Sequence, residues 1–88
     1  MYIKIGEKYM LKRIICLYNR YEGIVDSYRG DRTDWKEKYN QLEILVKDVT
    51  ELKIRHCRNL AFYSWLRLAL IREVREELIR VFHLAYDK

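Results

Sequence analysis

Proline is absent from this chain of 88 residues, and the last of its three glycines is Gly30. Sheet proteins reverse direction at tight turns, and those turns depend heavily on glycine and proline. A chain with so few of either residue cannot supply many such turns, whereas helices run for long stretches without them. The sequence therefore predicts an all-α protein.

The size of the chain predicts a single domain over residues 1–88. Half of the residues are hydrophobic and 35% are charged, which excludes a disordered or low-complexity chain. A chain of 10.9 kDa buries only about two-thirds of its extended surface on folding, so a lone monomer is expected to be marginally stable.

Two helices are predicted in the first part of the chain. Apolar residues recur every three or four positions over about 7–28, and the same spacing resumes over about 35–55. Gly30 suits the loop 29–33 between them, because glycine readily ends a helix. Asp34, followed three residues later by Glu37, is a capping-box signature and predicts the start of the second helix, with Thr33 as the competing cap.

A third helix is predicted over about 60–86, and its connection to the second is left open. The chain has neither glycine nor proline after Gly30, so one continuous helix is an alternative. A bend near 55–59 is favoured, because charged residues interrupt the apolar seam there. If the helix were continuous, His56 and Asn59 in the seam would fix the register of a coiled coil.

The apolar stripes define the expected core. Its predicted members are Met10, Ile14, Leu17, Tyr21, Ile24, Leu42, Leu45, Val49, Leu52, Leu66, Leu70, Val74 and Leu78.

The segment 60–71 is apolar on almost every side of its predicted helix. A helix without a polar face belongs in a core or an interface, and one small chain has few helices to cover it. The sequence therefore predicts a homodimeric helical bundle with coiled-coil-like packing: a helical hairpin plus one or two C-terminal helices from each chain. The predicted dimer interface consists of Tyr63, Trp65, Leu66, Leu70 and Val74, with the two aromatic residues as its anchors.

Positive charge is concentrated in one window of the sequence. The formal net charge is +5, and residues 52–72 carry five basic residues and no acidic one. Such a window favours an anionic partner, and a dimer would duplicate it into one surface. The residues predicted to contact phosphates of duplex nucleic acid are Arg55, Arg58 and Arg72, supported by Lys53 and Arg67.

Catalytic and metal-binding motifs are not apparent. The two cysteines and two histidines lack the spacing of a metal site, and no glycine-rich loop could hold a phosphate. The chain is therefore expected to be no enzyme, to need no metal or cofactor and to take no small-molecule substrate. Two distant cysteines and no apparent signal peptide or membrane span indicate the cytoplasm, or the host cytoplasm or nucleus for a viral protein.

These features predict a non-catalytic interaction protein, an adaptor or inhibitor that acts as a dimer through protein–protein contacts. The alternative is a dimer that binds duplex RNA or DNA without reading its sequence; association with a membrane surface is a weaker third hypothesis. In its plan of a basic helical hairpin followed by an apolar helix, the chain resembles small viral and plasmid-borne dimeric helical proteins. Among these, nodaviral silencing suppressors lay paired helices along duplex RNA. The resemblance extends to no residue motif, so it assigns no site residue.

Overall fold

Three α-helices form the fold: α1 (Ile5–Ser27), α2 (Trp35–Glu51) and α3 (Leu60–Tyr86). The computed structural model describes residues 5–28, 34–54 and 58–86, and these ranges contain no strand. The prediction of an all-α protein is confirmed. The helix α2 packs most extensively against α3, and α1 lies against both.

The described residues of the connection between α2 and α3 are not helical. Residues 52–54 have no regular structure and residues 58–59 form a turn. Leu52 ends α2 with an extended backbone (φ −62°, ψ 117°), and its side chain stays in the core. Burial of Leu52 at this change of direction lets α3 fold back along α2.

The alternative of one continuous helix is therefore wrong. The hypothesis that His56 and Asn59 fix the register of a coiled coil needed a continuous helix, so it is wrong as well. Asn59 is exposed beside the start of α3. His56 lies outside the described residues.

The predicted cap of α2 is present. Asp34 has an extended backbone, and its Oδ1 accepts a hydrogen bond from the backbone N–H of Glu37 at 3.2 Å. The Glu37 carboxylate accepts a hydrogen bond from the Tyr28 hydroxyl, and this bond is the main reason that the pKa of Tyr28 is raised. Glu37 thus ties the end of α1 to the start of α2.

The core follows the predicted stripes closely, because the 3–4 spacing places one face of each helix inward. Among the predicted residues, the buried ones are Met10, Ile14, Leu17, Leu42, Leu45, Val49, Leu52, Leu70 and Val74. The predicted residues that are only half-buried are Tyr21, Ile24, Leu66 and Leu78. Three buried hydrophobic residues were not in the predicted core: Tyr63, Val81 and Ala85.

An aromatic cluster holds the start of α2 against the end of α3. The ring of Tyr39 lies 5.8 Å from the rings of both Phe82 and Tyr86, measured between centroids. The Nζ atom of Lys36 lies 5.6 Å from the centre of the Tyr86 ring. Aromatic pairs at these distances stabilise a contact beyond the area they bury.

The molecule is long and thin for its mass. Its extents are 53 × 18 × 15 Å and its radius of gyration is 15.1 Å, whereas a compact domain of this length has a radius near 12 Å. Its accessible surface is 6724 Å², against roughly 5,600 Å² expected for a folded monomer of this mass. Three helices side by side leave part of each apolar face uncovered.

Candidate interaction surfaces

The side of α3 that points away from the core forms the first candidate surface, called here the outward face. Trp65, Leu68 and Ile79 are 63%, 57% and 62% exposed. Arg72 and Arg75 lie between them in sequence and are also exposed. At 100° per residue, all five fall within an arc of about 80° on α3. The outward face is thus an apolar stripe with two arginines at its centre.

The structure buries some residues of the predicted dimer interface and leaves others accessible. Tyr63, Leu70 and Val74 are buried in the core of the single chain, because their spacing places them on the face of α3 that packs inward. In the single chain these three residues face the core, and their place in a dimer interface stays a prediction. Leu66 is half-buried and Trp65 is exposed, so both are still accessible.

The predicted phosphate contacts do not form one plane. The Nη1 atom of Arg67 donates a hydrogen bond to the backbone carbonyl of Leu52 at 2.8 Å. This bond satisfies a carbonyl at the end of α2, which has no partner inside the helix. Arg67 therefore joins α3 to the end of α2, and its role as a phosphate contact stays a prediction.

The other predicted basic residues lie in different parts of the molecule. Lys53 lines a groove between the first half of α1 and the end of α2. Arg58 lies in the turn before α3, and Arg72 lies on the outward face near the middle of that helix. Arg55 lies outside the described residues.

A second candidate surface, called here the seam face, lies along the border between α1 and α3. Burial and then the Glu73 carboxylate raise the pKa of Tyr18, which places Tyr18 of α1 near Glu73 of α3. Leu11 precedes Tyr18 by seven residues and Phe62 precedes Glu73 by eleven, both close to whole numbers of helical turns. Leu11 and Phe62 therefore lie on the same border, nearer the start of both helices.

Leu11 and Phe62, on this border, are 42% and 51% exposed, so the chain itself covers only part of each. Ile15 is 49% exposed and lies farther round α1, in a groove with Lys12, Cys16 and Asn19. Toward the other end of the border, Tyr18 and Tyr21 are half-buried between the helices. The border is therefore filled at one end and apolar but open at the other.

Among the described residues, the buried charged side chain is Lys38, which the sequence analysis did not single out. Its side chain is 2% exposed, and its Nζ atom lies 3.0 Å from Oε1 of Glu77. Its Nζ also lies 5.3 Å from the centre of the Trp35 ring. Lys38 stands four residues before Leu42, so the apolar stripe of α2, extended backward, would have located it.

Glu77 joins Lys38 to a second cation. Burial alone would raise the pKa of Glu77, but hydrogen bonds from Arg80 and Lys38 outweigh burial and lower it. The Arg80 side chain is 56% exposed, so its head remains in water. The three groups form an ion-paired cluster that joins α2 to α3, which is a structural arrangement rather than a binding site.

Two further features are absent from the described part of the chain. Among these residues there is no cluster of three or more histidine, cysteine, aspartate or glutamate side chains that could hold a metal ion. None of the described helices combines the length and apolar character needed to cross a bilayer.

Comparison of the chain with protein-family models, with curated proteins and with solved structures found no match.

Proposed function

We propose that this chain is a non-catalytic helical interaction protein that forms a homodimer and presents the outward face of α3 to another protein. The observation that carries the proposal is the exposure of Trp65, Leu68 and Ile79 along one side of a single helix. Scattered apolar side chains are common on protein surfaces, whereas an aligned apolar stripe is typical of a binding surface.

The chemistry of the outward face suits an amphipathic helix as its partner. Heptad-like spacing of apolar residues matches the helix-in-groove and helix-on-helix modes of recognition. Arg72 and Arg75 in the middle of the stripe favour a partner that carries carboxylates between its apolar anchors.

A photo-crosslinking amino acid at position 68 tests this part of the proposal in the native cell. The matched control is the same amino acid at Ile44, a half-exposed side chain on the outer surface of α2. We expect a discrete protein adduct from position 68 that position 44 does not give and that Arg72→Glu with Arg75→Glu abolishes. Equal labelling from both positions, or none from either, would contradict a binding role for the outward face.

Binding of duplex nucleic acid is the second candidate, and one observation favours it. Arg72 and Arg75 are one turn apart and exposed, and neither forms an ion pair within the described part of the chain. Two adjacent arginines flanked by Trp65 could contact backbone phosphates.

A mobility-shift titration with duplex RNA and duplex DNA at several salt concentrations tests the second candidate. If phosphates bind here, Arg72→Gln with Arg75→Gln should reduce the slope of log affinity against log salt by about 2 per protomer. Lys47→Gln on α2 is the control and should change the slope little. Absence of any shift at low salt excludes this candidate.

A further inference from the structure

The outward face of α3 continues toward the end of the helix as a regular heptad stripe. From Trp65 to Tyr86, exposed side chains recur at alternating steps of three and four residues. This set, called here the outer stripe, consists of Trp65, Leu68, Arg72, Arg75, Ile79, Phe82 and Tyr86, and all seven are exposed. The spacing is that of the a and d positions of a coiled coil, which pack against a partner helix. The outer stripe therefore has the pattern of a second packing face that the chain itself leaves uncovered.

The charge of the outer stripe lies at its middle. Arg72 and Arg75 occupy one a and one d position, and apolar side chains stand on both sides of them along the helix. Neither arginine forms an ion pair within the described part of the chain. Glu76 and His83 lie along one edge of the stripe, so one carboxylate borders the arginines but none lies within the stripe. A helix packed on the outer stripe would therefore cover two unpaired guanidinium groups.

The outer stripe turns toward α2 as it runs along α3. A heptad falls about 20° short of two full turns of a straight helix, so three heptads drift by about 60°. At the end of the stripe, Phe82 and Tyr86 lie beside Tyr39 of α2. The Nζ atom of Lys36 lies 5.6 Å from the centre of the Tyr86 ring. A helix that follows the stripe would therefore reach the start of α2 and meet a third cation there.

We propose that the outer stripe is a coiled-coil surface for one helix of another protein, at least three heptads long, whose central a and d positions carry carboxylates. The inference rests on the proposed function and specifies its partner. Three heptads of α3 measure about 32 Å, so the partner needs two apolar segments separated by an acidic layer. A covered arginine without an opposite charge opposes binding, whereas a carboxylate opposite it offsets the loss of water. Arg72 and Arg75 therefore select the partner, and the apolar residues at both ends supply the affinity.

A second copy of this chain does not fit the outer stripe. Pairing two copies in the longest register sets Arg72 and Arg75 of one copy against the same arginines of the other, whether the helices are parallel or antiparallel. Like charges in such a contact suppress the pairing. The proposed homodimer therefore needs another surface, and the outer stripe stays open for a different protein.

Two synthetic peptides that differ only in their central layer test the selection. Each has four heptads with leucine at the a and d positions, except that one a and one d position in the middle carry glutamate in the first peptide and lysine in the second. Fluorescence anisotropy with the full chain should show that the glutamate peptide binds about 10-fold more tightly or better. Arg72→Glu with Arg75→Glu should reverse this preference, because opposite charges then face each other in the complex with the lysine peptide. Lys12→Glu with Lys47→Glu, at exposed positions of α1 and α2, makes the same change in net charge and should keep the preference for glutamate.

Alanine substitutions on both sides of the arginines test whether the whole outer stripe is used. Trp65→Ala and Ile79→Ala should each weaken binding of the glutamate peptide by about 10-fold, since each removes an apolar anchor. Ile44→Ala removes a half-exposed side chain of α2 and should leave the affinity unchanged, with circular dichroism confirming that all three variants fold. Equal effects of the three substitutions would show that the peptide does not bind along the outer stripe.

The results separate this inference from the proposed function. If position 68 crosslinks to a protein in the cell but the glutamate peptide binds no better than the lysine peptide, the outward face stands as a binding surface and the acidic helix is overturned as its partner. If position 68 gives no adduct and neither peptide binds, the proposed function and this inference both fail.

Discussion

At the scale of single residues, Gly23 lies inside α1, where glycine costs helix stability relative to alanine. Close approach of another helix is one reason for a glycine at such a position. A Cβ atom built on Gly23 meets nothing within 4 Å, so close approach is not its reason. Gly23 costs helix stability without any packing gain.

Gly23→Ala should therefore stabilise the protein by about 0.5–1 kcal/mol, because alanine loses less backbone entropy on folding and fits the helix. Urea unfolding at pH 7 measures the change. A variant as stable as the wild type, or less stable, would show that this turn of α1 requires glycine for another reason.

Lys38 and Arg80 both contact the Glu77 carboxylate, but Lys38 is buried and Arg80 is exposed. The two ion pairs should therefore contribute differently to the free energy of unfolding. Glu77→Gln leaves Lys38 buried without an opposite charge, and we expect a loss of about 3 kcal/mol in the free energy of unfolding. Arg80→Gln removes an exposed partner and should cost less than about 1 kcal/mol. Equal losses in urea unfolding at pH 7 would contradict the role given to Lys38.

The same carboxylate makes stability depend on pH. The pKa of Glu77 is lowered in the folded state from its ordinary value of 4.5. Around this pH the folded chain therefore binds fewer protons than the unfolded chain. Its stabilising contribution is present above pH 4.5 and is lost as the pH falls through the lowered folded pKa. Wild type should therefore lose more stability between pH 6 and pH 3 than Glu77→Gln, with Glu51→Gln as an exposed control that behaves like wild type.

At the scale of helices, Arg67 of α3 is joined to the end of α2 by a hydrogen bond to the Leu52 carbonyl. Arg67→Met keeps much of the apolar stem but removes the hydrogen bond to the Leu52 carbonyl, and we expect a loss of about 1.5 kcal/mol. Arg72→Met on the outward face should change stability by less than about 0.5 kcal/mol. If the two variants lose the same stability, Arg67 does not hold the α2–α3 connection.

Local patterns in the sequence carried most of the prediction of the helices. Apolar spacing placed Leu42, Leu45 and Val49 in the core. The Asp34 cap could be predicted because its side chain, the backbone N–H that it accepts from and the start of the helix lie within four residues. Long-range contacts could not be predicted in this way. Nothing local shows that Arg67 reaches the Leu52 carbonyl or that Glu77 accepts from Lys38, since each contact depends on how α3 folds back on α2.

The candidate surfaces, too, could be predicted from the sequence only in part. The sequence indicated that segment 60–71 has more apolar surface than one small chain can cover, and Trp65 and Leu68 are exposed in the structure. Periodicity alone did not indicate which side of α3 faces α2. As a result Tyr63 was predicted in the interface alone although it is buried in the single chain, whereas Leu70 and Val74 were predicted in both the core and the interface.

At the scale of the whole molecule, length and surface explain why a second copy is expected. A bundle that is 53 Å long and 18 Å wide encloses little volume for the surface it exposes, and a core this small gives marginal stability. A second copy that covered exposed apolar side chains would remove apolar surface from water at about 25 cal/mol per Å². Dimerisation and folding are then expected to reinforce each other, so the unfolding midpoint should rise with protein concentration.

The most direct measurement of the central claim is the solution mass of the wild-type chain by sedimentation equilibrium over a range of concentrations. The account predicts a mass that approaches twice the 10.9 kDa of a single chain as the concentration rises. A mass that stays at 10.9 kDa at every concentration would contradict the proposed homodimer.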